Sequence, residues 1–133
     1  MYTVVLAVDE EPEPARHAAT AVGNLPGDHT DVNAFVLHCF TDNPRGASAT
    51  QVAGVRAAVD ELQDAELTTE IVEASGAPAE AIQRQAEELA ADLIVVGGRK
   101  RSPTGKALFG SVSQSVILQS DRPVMITGEK EAE

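Results

Sequence analysis

The 133-residue sequence predicts one α/β domain, a three-layer sandwich with helices on both faces of a five-stranded parallel sheet. Three observations carry this reading. Apolar, β-prone runs alternate with segments of helical period along the whole chain, which implies βαβ units. The length suits a single domain, with residues 1–128 forming it and 129–133 a polar C-terminal tail. The hydrophobic fraction is 43% but only 3% of residues are aromatic, so Val, Ile, Leu and Ala must fill the core.

The elements follow in order. Tyr2 to Val8 is a continuous β-prone run. Asp9 to Pro14 reads as a turn, and Ala15, Ala18, Ala19 and Val22 then repeat at helical spacing. Val32 to Phe40 is a second strand, and Asp42 to Gly46 reads as a loop. Val52, Val55, Val59 and Leu62 mark one face of a second helix. Thr68 to Ala74 alternates polar and apolar, as a half-exposed strand does. Ser75-Gly76 breaks it, and Pro78 suits the first turn of a third helix whose Ile82, Ala86 and Leu89 face the core. Leu93 to Val96 is a short, wholly apolar strand. Gly97 to Phe109 reads as the longest irregular stretch. Ser111 to Gln119 is a fourth helix with Val112 and Val116 four apart, and Val124 to Thr127 is the last strand.

Strand character predicts the strand order. The first, second and fourth strands are nearly continuous apolar runs, as strands covered on both faces are. The third alternates and the fifth is short and follows Pro123, so both belong at edges. The order 3-2-1-4-5 satisfies these conditions. It puts a topological switch point between strands one and four, and ligands of such sheets bind at the flanking carboxyl ends, here Val8-Asp9 and Val96-Gly97.

Charge narrows the partners. The net charge is −11, which repels nucleic acid and anionic membranes over most of the surface. Lysine occurs only at 100, 106 and 130 against 21 Asp plus Glu. A carboxylate-rich, lysine-poor surface stays hydrated where salt screens charge strongly, so the composition predicts a halophilic protein. No apolar run reaches the roughly 18 residues of a membrane span. The N-terminus has no basic segment and no small-residue cleavage site, so no signal peptide is expected. Cys39 is the single cysteine, which excludes an internal disulfide and suggests the reducing cytoplasm.

The same charge count locates a candidate site. Residues 93–120 hold no acidic residue, where the chain average would put about four, and Arg99, Lys100, Arg101 and Lys106 cluster within them. Such a patch in an acidic chain suits an anionic ligand, or else a set of solvated loop charges. Gly97, Gly98 and Gly105 allow close approach to a ligand. Gly110-Ser111 opens the following helix, whose free N–H groups and dipole favour phosphate. The hydroxyls of Ser111 and Ser113 can add hydrogen bonds, and Ser111 would equally serve as an N-cap. Asp9 stands beside the switch point, where a carboxylate either meets a ligand or initiates a turn.

Other chemistries fail on their residues. Thr104-Gly105-Lys106-Ala107 resembles a P-loop, but Lys100 stands where that motif needs glycine and Ala107 where it needs Ser or Thr. His17, His29 and His38 form no spaced zinc set with Cys39, and His38 and Cys39 read as core residues. There is no nucleophile with a recognisable base. The basic loop has no carboxylate to position an attacking water, so no enzyme is expected and any hydrolysis should be slow.

The arrangement strand, Gly-x-x-Gly-x9-Gly-Ser, helix resembles the nucleotide signature of the universal stress protein family. Here it runs Gly97-Gly98-Arg99-Lys100, nine residues to Phe109, then Gly110-Ser111. Asp92 to Gly97, Arg122 to Ile126, Val5 to Asp9 and Val36 to Phe40 resemble the family's fourth, last, first and second strands, so the resemblance covers the whole chain. It implies a Rossmann-like, adenine nucleotide α-hydrolase-like fold, and a stress-response protein that binds ATP, ADP or AMP, with Mg²⁺ where ATP is bound. Adenine would lie against Ala7, Val8 and Ala34, ribose at Asp9, and phosphates over Gly97, Gly98, Arg99, Lys100, Gly110, Ser111, Val112 and Ser113, with Val96 also lining the site. The family pairs through its last strand, which implies a homodimer through Val124–Thr127. Lys100 replaces the second motif glycine: it either distorts the loop or adds a phosphate contact. A nucleotide-free dimeric interaction module is the alternative, and a slow ATPase a third reading.

Overall fold

The computed structural model describes residues 1–40, 46, 48–101 and 107–128, with 98–101 and 107–109 described by their backbone. Its elements are β1 (Tyr2–Ala7), α1 (Pro12–Gly23), β2 (Val32–Phe40), α2 (Ala53–Asp64), β3 (Thr68–Ser75), α3 (Pro78–Glu88), β4 (Leu93–Arg101), β5 (Ala107–Phe109), α4 (Ser111–Gln119) and β6 (Val124–Gly128). The expected loop at 42–45, the segment 102–106 and the tail at 129–133 lie outside the described residues.

The parallel strands run β3-β2-β1-β4-β6, which is the expected order with β6 as the fifth parallel strand. The apolar runs are central for the reason the sequence implied. Val4, Val5 and Leu6 are fully buried because β1 is covered on both faces. On one face, Leu6, Val36 and Val95 pack against Val22 of α1 and Val55 and Leu62 of α2. On the other, Val5, Leu37 and Ile94 pack against Ile82 and Ala86 of α3 and Val116 of α4. β3 exposes Glu70 and Glu73, as an edge should.

Two segments depart from expectation. α1 begins at Pro12, so the turn is shorter than Asp9 to Pro14. Pro12 and Pro14 both fall in its first turn, where a missing N–H breaks no helical bond. The second departure lies within 97–109. This stretch is not wholly irregular: β4 continues to Arg101 and pairs antiparallel with β5, Arg99 opposite Phe109 and Lys100 opposite Leu108. A register shift between Gly97 and Arg99, at the glycine pair, lets β4 change partners there.

The position of β5 follows from pairing. β1 and β6 both pair with Ile94–Val96, so they hold opposite edges of β4. Arg99 pairs with Gly128 of β6 and also with Phe109. β5 must therefore lie on the β1 edge, beyond Ala7. Among the described residues no helix is long and apolar enough to cross a membrane.

Candidate functional site

A cavity of about 770 Å³ opens where β1, β2, β4 and β6 end. That is within the roughly 300–1,000 Å³ typical of small-molecule sites. Val8, Ala15, Ala18 and Phe40 line it from one core layer, and Ala7, Ile82, Val96 and Val112 from the other. The cavity thus wraps around the strand ends at the switch point, because β1 leads to β2 on one side and lies against β4 on the other.

Nine of the expected contacts meet there: Ala7, Val8, Asp9, Val96, Gly97, Gly110, Ser111, Val112 and Ser113 all line the cavity. Ala34 does not, and its expected adenine contact is corrected. It sits mid-strand between Val4 and Thr69, fully buried, several residues below the rim. Gly98, Arg99 and Lys100 lie on the β4 side of the hairpin, and their side chains fall outside the description. Lys100 is in extended pairing with Leu108, a backbone conformation open to any residue. The backbone at position 100 therefore does not call for glycine.

The amino end of α4 is the anion-friendly wall. Gly110, not Ser111, is the N-cap, and it offers no side chain to the helix. The first helical bond runs from the Gln114 N–H to the Gly110 carbonyl. The amides of Ser111, Val112 and Ser113 precede it and so have no acceptor within the helix. Ser113 was expected to give its hydroxyl to a ligand. Instead its Oγ donates to the Gly97 carbonyl at 2.7 Å, so the hydroxyl proton is already used. Buried at 4% exposure, it ties α4 to the end of β4.

Asp9 performs the turn role: its Oδ1 accepts the Glu11 N–H at 3.0 Å. A carboxylate has a second oxygen, and Asp9 still faces the cavity. The turn role and a ligand role are thus compatible.

Three polar lining residues, His38, Cys39 and Thr127, are not among the site residues expected from the sequence. His38, read as core, is buried as expected but also forms cavity wall. Its Nδ1 lies 3.0 Å from the Val8 carbonyl, which requires the proton on Nδ1 as donor. Its ring meets Phe40 edge-on at 4.6 Å. Cys39, also read as core, is half-buried on the rim of β2, and its Sγ donates to the Gly76 carbonyl at 3.5 Å. Burial pushes its thiol pKa up, opposed more weakly by the Arg84 charge. Thr127 is buried opposite Gly97. A Cβ built on Gly97 would stand 3.5 Å from the Thr127 Oγ1, so glycine keeps this part of the cavity open. Polar residues closing otherwise apolar strands were the available signal for His38 and Thr127. Among the described residues no group of three His, Cys, Asp or Glu is placed to hold a metal ion.

Comparison with known proteins agrees with this geometry. A family model described as the universal stress protein family matches residues 1–128. A universal stress protein of Mycolicibacterium smegmatis is 35% identical over 95 residues, covering 71% of this chain and 70% of that protein. The chain spans less than half the length of two other curated relatives it matches, 31% and 43%. The structure of a universal stress protein from Archaeoglobus fulgidus superposes with a TM-score of 0.74 at 27% identity, covering 95% of this chain and 98% of that one. A universal stress protein in complex with cAMP superposes with a TM-score of 0.71 at 27% identity, covering 96% of each. With its sheet order, its cavity at the switch point and its Gly110-Ser111 helix start, this chain belongs to the universal stress protein family.

Proposed function

We propose that the protein is a stress-response protein that binds an adenine nucleotide, ATP, ADP or AMP, in the switch-point cavity. One observation carries the reading: three α4 amides without helical acceptors face a cavity of nucleotide size, opposite the Asp9 carboxylate. Phosphate sits on the α4 amides, where free N–H groups and the helix dipole attract it. The ribose hydroxyls are within the chemistry of Asp9, and adenine takes the apolar wall of Ala7, Val8 and Val96. The relative bound to cAMP supports this class of ligand. Where ATP is bound, Mg²⁺ would be held mainly by phosphates and water. The protein acts by binding rather than catalysis, with at most slow ATP hydrolysis, because among the described residues no carboxylate and nucleophile pair addresses the phosphate wall.

The proposal includes a cytoplasmic, halophilic homodimer. Among the described residues β6 is paired along one edge only, and Val124, Met125 and Ile126 are half-buried. Adjacent α4 leaves Leu118 76% exposed. An apolar edge of this kind is normally covered by a partner strand. Sedimentation showing a monomer at micromolar concentration would remove the dimer, and equal melting temperatures in low and molar salt would remove the halophilic character.

Identifying any nucleotide released on denaturing the purified protein tests the main claim. A hundredfold excess of AMP or ATP over Kd should also stabilise the fold by about 2.7 kcal/mol. No released nucleotide and no thermal shift would leave the alternative, a nucleotide-free dimeric interaction module. The observation favouring that alternative is the hairpin, which carries β4 into strand pairing through Lys100 rather than into an open phosphate loop.

A further inference from the structure

We propose that Gly54, which lies on α2 and outside the cavity, is the residue that positions Asp9 for the ribose. The proposal rests on the nucleotide reading above. The chain leaves β1 at Ala7 and passes through Asp9 and Glu10 before α1 opens at Pro12. The first turn of α2 crosses directly over this link. The Gly54 N–H donates to the Glu10 carbonyl at 3.1 Å. A Cβ built on Gly54 would stand 2.1 Å from the Asp9 carbonyl oxygen, 3.1 Å from its carbon and 3.2 Å from the Glu10 carbonyl carbon. Real Cβ atoms essentially never come within 3.0 Å of another heavy atom. All three obstructing atoms are backbone, so no rotamer change relieves the overlap. Gly54 lies in a regular helix, so glycine is needed here for space and not for an unusual backbone angle.

What would yield is decided by anchoring. Val55, Ala58 and Leu62 hold α2 in the core at 0% exposure, whereas Asp9 and Glu10 are exposed. Any side chain at position 54 therefore displaces Asp9 and Glu10 rather than the helix. Two other contacts bracket the same link. His38 Nδ1 donates to the Val8 carbonyl, and Asp9 Oδ1 accepts the Glu11 N–H. Gly54 supplies the middle restraint: its N–H holds the Glu10 carbonyl, and its missing Cβ leaves room for the Asp9 carbonyl. Through it, α2 and the nucleotide are coupled although α2 contributes no residue to the cavity lining.

Calorimetry with AMP and with 2′,3′-dideoxy-AMP, which lacks both ribose hydroxyls, tests the assignment. In the wild-type chain AMP should bind the tighter of the two. Gly54→Ala should weaken AMP about tenfold or more, leave dideoxy-AMP nearly unchanged, and so collapse the ratio. Gly23→Ala is the control, since its Cβ meets only Ala65 Cβ at 3.2 Å, at the far end of the same helix pair. It should preserve the ratio. Hydrogen exchange on the wild-type chain needs no folded variant: AMP should slow exchange of the Gly54 amide, and dideoxy-AMP should do so less. Equal loss of both ligands in Gly54→Ala, no loss of either, or a Gly54 amide indifferent to AMP would each overturn the assignment. A wild-type chain that binds neither ligand would instead overturn the nucleotide reading, and the Gly54 proposal with it.

Discussion

The two ends of the sheet use the same strands in opposite ways. At the amino end the chain pairs backbone groups across its own strands and turns, although the buried Asn33 Oδ1 there has no hydrogen-bond partner. The Thr3 N–H donates to the Asp92 carboxylate at 2.8 Å, the Asp92 N–H donates to the Thr3 carbonyl at 2.8 Å, and the Ile94 N–H donates to the Pro123 carbonyl at 3.0 Å. At the carboxyl end β1 and β4 separate, α4 starts with unmatched amides, and a cavity remains. Buried backbone donors are almost always paired, so donors facing a cavity mark a place where an external acceptor fits. The difference teaches that the site is made less by special side chains than by where the fold stops pairing its backbone.

Substitutions at the two ends should separate accordingly. The largest effect is expected for Gly97→Val, which fills the cavity beside Thr127. AMP affinity should fall about a hundredfold, equal to about 2.7 kcal/mol, with little change in the melting temperature of the empty protein. Undiminished binding in calorimetry would mean that the nucleotide does not lie against the Gly97 end of β4.

A matched pair of variants sharpens the contrast. Ser113→Ala deletes the buried bond to the Gly97 carbonyl and should cost about 1 kcal/mol in urea unfolding, together with a several-fold loss of AMP affinity. Asp92→Ala deletes the exposed bond from the Thr3 N–H and should cost about 1 kcal/mol with no loss of affinity. If the two variants lose affinity equally, the ends are not functionally distinct.

The smallest effect concerns Cys39 on the cavity rim. Burial raises its folded pKa above the ordinary value of 9.0, so the folded chain keeps a proton that the unfolded chain releases. The linked stability is complete below the unfolded value and is lost as pH rises through the higher folded value. The melting temperature of the wild-type chain should fall slightly faster above pH 9 than that of Cys39→Ala. Saturating AMP should also slow alkylation of Cys39. Identical pH profiles and no protection by AMP would place the thiol away from the ligand.

Much of this division was readable in the residues. Continuous apolar runs at β1, β2 and β4 and alternation in β3 contain the strand order, because burial on two faces or one leaves a local pattern. The acid-free stretch before Asp121 and the Gly110-Ser111 helix start pointed to a segment that does line the cavity. The antiparallel hairpin escaped notice because Ala107–Phe109 is too short to signal a strand, and its pairing with Arg99–Arg101 lies across residues 102–106. Ala34 was misplaced because a strand pattern reports which face a residue takes, not its height relative to a cavity rim.

Taken alone, the sequence determined the α/β class, the order of the parallel strands and the end of the sheet where the cavity opens. These depend on periodicity, apolar run length and local charge, which each segment carries by itself. Only the tertiary structure decided that Ser113 gives its proton to Gly97, that His38 holds the Val8 carbonyl, and that Gly54 presses on Asp9. Those contacts join residues 16, 30 and 45 positions apart, and no local pattern states which distant backbone atom a side chain or a missing Cβ will meet.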